Sequence, residues 1–179
     1  MNAYLESVPS PAGPLTFAVD DAGSLLWVRF DDGHYRQHDA EERAHEGFVV
    51  REDGARTARA AEQFREYDAG VRRTFDLPVA LAGSPWQQSI WRLLQTIPFG
   101  ETRTYGQLAT LIGRPTAARA VGRANATNRI PLVVPCHRVV GADGSIVGFA
   151  GGAHLKARLL DHEARLAGTG PAQARLALG

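Results

Sequence analysis

The 179-residue sequence predicts an α/β (α+β) protein of two lobes. The first is an N-terminal three-stranded antiparallel sheet lobe with a helix; the second is mostly helical and holds a helix-turn-helix. Three observations predict this. Short apolar runs separated by proline- and glycine-containing turns fill the start of the chain. From Ser84 the pattern changes to apolar residues at helical spacing. The charge changes sign at the same place. Residues 1–83 hold 9 Arg against 15 Asp and Glu, a net −6, whereas residues 84–179 hold 10 Arg and one Lys against 4 acids, a net +7. The expected division is a sheet lobe over 1–83, a second domain over 84–165 and a flexible tail over 166–179.

The elements follow in order. "NAYLESV", "LTFAVD" and "SLLWVRF" are separated by "PSPAGP" and "DAG" and read as an antiparallel meander. The stretch from Ala44 to Val50 is ambiguous. "TARAAEQFREYDAG", ending at Gly70, reads as an amphipathic helix with Phe64 and Tyr67 on its inner side. "RRTFDLPVALAG" reads as a linker with little regular structure. Ser84 is an N-cap with Pro85 at the first helical position. Trp86, Ile90, Leu93, Leu94 and Ile97 recur at helical spacing until Pro98 and Gly100, and the stripe reads as core packing. Thr104 caps a short helix to Leu111, Gly113 ends it, and Pro115 opens a second helix to about Ala126. Two short helices joined by a glycine-containing turn describe a helix-turn-helix. Ala117, Ala118, Ala120, Ala124 and Ala126 surround Arg119 and Arg123 in the second helix. Alanine supplies helix propensity without bulk, so this helix either approaches another surface closely or packs inside the protein. "PLVVPCHRVVG" reads as a strand, "GADGSIVGFAGG" as a short strand between glycine turns, and "GGAHLKARLLDHE" as the last helix with Leu155, Leu159 and Leu160 inward. Beyond Glu163 an Ala/Gly-rich frayed tail is expected.

Composition limits the function classes. An apolar fraction of 44% with no run approaching 18 apolar residues is that of a globular protein without a membrane span. The N-terminus "MNAYLESVPSPAG" has neither the basic start nor the apolar core of a secretory signal. One cysteine forms no internal disulfide, and the absence of CxxC and HExxH argues against a cysteine-based zinc site. A reducing cytoplasm, no metal and no cofactor are expected. The basic second half points to a polyanion partner, with nucleic acid first.

The lone thiol, Cys136, stands between Pro135 and His137. A nucleophilic sulfur reacts as thiolate, and free cysteine has a pKa of about 8.5, so it needs stabilising neighbours. His137 and Arg138 supply positive character, but consecutive residues on a strand point to opposite faces, so His137 acts through a bend or a water. A histidine base also needs an orienting carboxylate. Glu101, Asp143, Asp161 and Glu163 are the acids of this half. Adjacency alone leaves a reactive cysteine and an inert core thiol both open.

Taken together, the motifs are specific. "PCHRVV" strongly resembles the active-site signature of the O6-alkylguanine-DNA alkyltransferases, also called methylated-DNA–protein-cysteine methyltransferases. "IPFGETRTYGQLA" is similar to the family's lead into its helix-turn-helix, "RAVGRANATN" to its recognition helix and following asparagine, and "VGFAGGAHLKARLLDHE" to its pocket loop and closing helix. The resemblance covers about residues 58–163 and is closest over 84–163. It implies that Cys136 accepts the alkyl group, that His137 removes the thiol proton through a water, and that Glu163 orients His137. It implies that Asn128 is a hinge, that Tyr105 donates to the departing guanine, and that Arg119 fills the gap left by a flipped nucleotide. Ala117, Ala118, Ala120 and Arg123 accompany Arg119 as the DNA-binding surface. Val139, Phe149, Ala150, Gly151 and Lys156 line the substrate pocket, where carbonyls of Cys136 and Val139 read the guanine amino group. The implied partner is double-stranded DNA carrying O6-alkylguanine, bound by a chain that is monomeric without DNA. The chain departs from the family at Arg129, where a proline is usual, at Phe149, where a tyrosine is common, and at Ala150, where some members have serine.

Two other readings use part of this pattern. A non-catalytic lesion-binding module of the same fold carries another residue in place of the cysteine, so Cys136 argues against it. A cysteine hydrolase or peroxidase using Cys136 and His137 on small molecules leaves the basic alanine-rich helix unexplained.

Overall fold

The computed structural model describes residues 2–31, 47–51, 53–149 and 152–169, which fall into two compact units, Met1–Ala80 and Leu81–Gly179. In the first unit β1 (Asn2–Val8), β2 (Leu15–Val19) and β3 (Leu25–Phe30) form the expected antiparallel meander. The sheet has a fourth strand, β4 (Val49–Arg51), which lies parallel to β1 and gives the order β3-β2-β1-β4. Expecting three strands missed it because β4 is three residues long and exposed, so no burial alternation marks it. Arg51 Nε donates to Asn2 Oδ1 at 3.0 Å and ties this edge down. Of the stretch from Ala44 to Val50, residues 44–46 lie outside the described residues.

Helix α1 (Gly54–Asp68) crosses the sheet. It begins three residues before the expected Thr57, because Asp53 accepts a hydrogen bond from the Ala55 amide and caps it. Phe64 and Tyr67 are inward as expected: Phe64 packs on Phe17 at 5.1 Å and on Phe75 at 5.4 Å between ring centroids. Phe75 belongs to the expected linker, which is irregular but packed, with an isolated bridge from Leu25 to Val79.

The second unit holds α2 (Pro85–Leu94), α3 (Tyr105–Leu111), α4 (Ala118–Ala126) and α5 (Gly152–Ala167). A two-stranded parallel pair, β5 (Arg103–Thr104) and β6 (Val139–Val140), accompanies them. Ser84 and Gln87 form a capping box at α2, and Thr104 and Gln107 form another at α3. Ile90, Leu94 and Ile97 are buried as the stripe requires; Trp91, outside that stripe, is buried as well. Helices α3 and α4 make the helix-turn-helix.

Four local expectations are corrected. Pro115 does not open α4: residues 115–116 form a turn, Ala117 is an N-cap without a side-chain bond, and the helix begins at Ala118. The cysteine segment is no strand. Pro131 and Pro135 lack the amide a ladder needs, and the chain turns instead, with Cys136 N bonded to Val134 O at 2.7 Å. Residues Cys136–Arg138 then form one turn of 3-10 helix before β6. The run "SIV" at 145–147 forms no strand either, because the Val147 carbonyl receives side-chain donors instead of a neighbouring strand. Helix α5 continues past Glu163 to Ala167, while residues 170–179 of the expected tail lie outside the described residues.

The capping box of α3 closes the turn that carries Tyr105. Thr104→Ala should lower stability by about 1 kcal/mol, a fall in Tm of about 3 °C readable by calorimetry.

Candidate active site

The site is built on four pieces of the second unit: the 3-10 turn, the start of α3, α4 and the middle of α5. Cys136 (4% exposed) and His137 (0%) lie on the 3-10 turn, and Glu163 (1%) faces them from α5. His137 Nε2 lies 2.8 Å from Glu163 Oε1. Arg138 makes a bidentate pair with the same carboxylate, Nη2 to Oε1 and Nε to Oε2, both 2.9 Å. The Gly100 amide donates to Oε2 at 3.0 Å. Burial alone opposes ionisation of Glu163, but His137 and Arg138 outweigh it and hold the carboxyl well below the usual carboxylate range. An ionised carboxylate only accepts, so the proton of the imidazole resides on Nε2. Burial pushes His137 down, against the pull of Glu163, so the ring is neutral at pH 7. Its Nδ1 is a buried acceptor with no partner among the described residues.

Arg138, read from sequence only as diffuse positive charge, is thus the main partner of Glu163. It is anchored further by Nη1 donating to Ile97 O at 2.6 Å. Gly100 was not foreseen as a partner. Its φ of +78° and the 2.5 Å that would separate a Cβ there from Ala167 Cβ demand glycine.

Asn128 lies 9% exposed behind the cysteine. Its Nδ2 donates to Val134 O at 2.8 Å and its Oδ1 accepts from Ile130 N at 3.0 Å. These bonds brace a loop in which buried Leu132 holds a φ of +72°, a conformation that costs an L residue about 1–2 kcal/mol. The turn keeps both bonds with Arg129 in place of the family's proline. Burial raises the Cys136 thiol to about 11, while a hydrogen bond from Asn128 and the charge of Lys156 pull the other way.

Tyr105 stands half-buried at the start of α3. Its hydroxyl donates to the Val147 carbonyl at 3.0 Å, and Lys156 Nζ donates to the same carbonyl at 2.6 Å. The ammonium lies 5.9 Å from the centroid of the Tyr105 ring. Burial raises Tyr105 to about 12, with the Cys136 charge adding to it. Lys156 is fully buried, and burial lowers it to about 8. Asn125, on α4 and absent from the sequence-based list, is 2% exposed, and its Nδ2 faces the Gly148 carbonyl at 3.4 Å. Its place four residues after the buried Val121 marks a polar group on an apolar face, which the sequence does display. Val139 is buried in β6 and Phe149 is half-buried in the pocket loop; Ala150 and Gly151 lie outside the described residues.

Arg119 and Arg123 are exposed on α4, and Ala117, Ala118 and Ala120 are partly buried around them. Trp86 Nε1 donates to Ala120 O at 3.4 Å and Trp91 Nε1 to Ala124 O at 2.8 Å. The small residues therefore serve internal packing on one side of α4, while the two arginines stand free of hydrogen bonds and ion pairs among the described residues.

Comparison with known proteins agrees with this arrangement. A family model, the DNA-binding domain of 6-O-methylguanine DNA methyltransferase, matches residues 85–165. A methylated-DNA–protein-cysteine methyltransferase of Shigella flexneri is 41% identical over 172 residues, 90% of this chain and 95% of that protein. The likeness is thus wider than residues 58–163 and includes the sheet unit. The crystal structure of Mycobacterium tuberculosis O6-methylguanine methyltransferase is 40% identical with a TM-score of 0.78, covering 91% of this chain and 93% of that one. A structure of Mycobacterium tuberculosis OGT in complex with DNA is 38% identical with a TM-score of 0.76, covering 94% and 96%. The chain belongs to the methylated-DNA–protein-cysteine methyltransferase family.

Proposed function

We propose that this protein repairs DNA by moving the alkyl group of O6-alkylguanine onto Cys136 in a single irreversible turnover, after flipping the nucleotide out of the duplex. The observation that carries the reading is the buried Cys136 on the same 3-10 turn as His137, which pairs with Glu163. Residues 84–165 supply the chemistry and the DNA surface, and residues 1–83 form a separate lobe. No helix among the described residues is long and apolar enough to cross a membrane, and the unpaired thiol suits the reducing cytoplasm.

A base inside a duplex is unreachable, so the nucleotide rotates out at a cost of a few kcal/mol. Arg119, exposed at the second position of α4, enters the vacated stack, while Arg123 contacts phosphate. In the pocket the Cys136 thiol is protonated at neutral pH, so its proton must leave as the substrate reacts. His137 Nδ1 takes it, directly or through a water, and Glu163 stabilises the imidazolium that forms. The sulfur bonds to the alkyl carbon as the carbon–O6 bond breaks, and the electron pair passes to the purine. Tyr105, protonated at neutral pH, gives its proton to the departing base and is later reprotonated from His137. Carbonyls of Cys136 and Val139 accept from the guanine amino group, and Phe149 packs on the base. The products are S-alkylcysteine and guanine still in its strand. A thioether does not hydrolyse, and the sequence has no second thiol to regenerate Cys136.

Transfer should stop at one alkyl group per protein. Mass spectrometry after incubation with methylated DNA should find the added mass on the Cys136 peptide; turnover beyond one equivalent would contradict this.

Glu163→Gln keeps shape and one acceptor but removes the charge that stabilises protonated His137. Transfer at pH 7 should slow by about 10². The thiol is raised towards 11, so its own ionisation grows with pH, and the deficit should shrink as pH rises. A deficit constant with pH would assign Glu163 a structural role only.

Arg119→Ala should slow repair of duplex DNA by about thirtyfold, the effect of roughly 2 kcal/mol of unpairing cost left unmet. Reaction with free O6-benzylguanine should stay close to wild type, because a free base needs no flipping. Equal losses on duplex and free base would refute the assignment.

A further inference from the structure

Between Ser84 and Ala142 the chain has a single acid, Glu101, and Arg103 holds it at 2.9 Å. No acid lies within the helix-turn-helix to neutralise its arginines. Arg119 and Arg123 on α4 already have work in the alkyl-transfer reading; Arg114, in the turn between α3 and α4, has none. It is exposed, and among the described residues the one polar or aromatic partner of its side chain is Trp86, whose ring centroid lies 5.3 Å from the guanidinium carbon. Trp86 opens the apolar stripe of α2, yet it is only half-buried, unlike Ile90 and Leu94 further along. Its indole nitrogen donates to Ala120 O on α4, a long bond at 3.4 Å, while its ring carries Arg114. The Arg114 backbone is fixed as well: its amide donates to Ala109 O at 2.8 Å, and its carbonyl accepts from Ala117 N at 2.9 Å. An exposed arginine on a turn ordinarily sweeps many rotamers. Here both ends are held, the backbone by its bonds to Ala109 and Ala117 and the planar head by an aromatic face.

We propose that Arg114 is a DNA-contact residue: Trp86 holds its guanidinium as a fork that binds one backbone phosphate of the duplex beside α4. The inference rests on the duplex-binding reading and adds a pair of residues to it. A guanidinium stacked on an indole keeps its in-plane N–H donors free, and two of them match two oxygens of a phosphate. Stacking therefore leaves the charge available and removes part of the ordering cost that a loose side chain bears on binding. Arg114 lies five residues before Arg119, and the indole that orients it also bonds α4. A phosphate held there fixes the height and tilt of α4 against the duplex, so that Arg119 meets the base stack. Phosphate contacts position a protein without reading sequence, which is what repair of a lesion in any sequence context requires.

The test measures equilibrium binding of the full chain to a duplex carrying O6-methylguanine over a series of salt concentrations. Arg114→Gln removes the charge and keeps a polar side chain. Its affinity at about 0.1 M salt should fall by about tenfold, and the slope of log K against log salt should become shallower by about 0.9, the share of one phosphate. Arg114→Lys keeps the charge and loses the fork, so it should restore the wild-type slope while its affinity stays below wild type. Trp86→Leu leaves every charge in place, so the slope should hold while affinity falls by about threefold as the guanidinium is released. Trp86→Phe keeps a ring face and should recover most of that loss. The arginine variants carry the test alone if the Trp86 variants do not fold. A merely structural Arg114 would lower the melting temperature and leave the slope alone. An unchanged slope in Arg114→Gln, or a slope that Arg114→Lys fails to restore, would overturn the inference while leaving duplex binding intact. Wild-type binding that ignores salt would overturn the duplex-binding reading and this inference with it.

Discussion

The carboxylate of Glu163 receives four hydrogen bonds at 2.8–3.0 Å, from His137, twice from Arg138 and from the Gly100 amide, and the geometry around the thiol depends on it. A buried carboxylate without a cation would take up a proton and cease to orient anything. Arg138 prevents that, and because it balances the charge, His137 has no need to be protonated at rest. The histidine is then free to do the opposite, which is to gain a proton during the reaction. One ion pair and one imidazole therefore divide the labour: Arg138 keeps Glu163 ionised, and Glu163 keeps His137 turned with Nδ1 available. The arrangement also joins the loop at Gly100, the 3-10 turn and α5, so loss of the carboxylate would loosen the site mechanically as well as electrically.

Helix α4 shows how a nine-residue element serves two surfaces at once. Its alanines let the indoles of Trp86 and Trp91 reach carbonyls in the helix, which holds α4 against α2. Bulk at those positions would push the helix outward. With that face fixed, Arg119 and Arg123 stand exposed, and Asn125 is carried inward to the pocket loop. The exposed arginines and the buried amide that faces the pocket loop thus share one helix, a few residues apart.

Much of this was legible beforehand, and the misses have physical causes. The caps at Ser84 and Thr104 and the inward Phe64 and Tyr67 follow from local chemistry, while the pairing of His137 with Glu163 was implied by the family resemblance alone. The cysteine segment misled because a run of buried apolar residues looks the same in a strand and in a buried turn. There the two prolines were the better guide, since neither can donate to a ladder. The fourth strand was invisible because its exposed residues alternate with nothing. Arg138 was undervalued because sequence order shows a charge beside a histidine but not the carboxylate that both share. That carboxylate is 25 residues away from Arg138 and returns only when α5 packs on the 3-10 turn.

The raised thiol is the feature that best fits a protein that can act only once. A cysteine poised as thiolate would react with any small electrophile that entered, and a single-use acceptor would be spent without a lesion repaired. With its pKa near 11, Cys136 is ionised in only about one molecule in 10⁴ at pH 7. Burial thus protects the sulfur by default, and reactivity appears only when a substrate fills the pocket and the proton has somewhere to go. In the proposed mechanism two groups then work together: His137 takes a proton, and Tyr105 gives one. A small alkylating agent needs no acid for its leaving group and gains nothing from Tyr105, whereas a purine leaving group does. On the proposed reading, discrimination in favour of the lesion therefore comes from the acid side of the pocket as much as from the nucleophile.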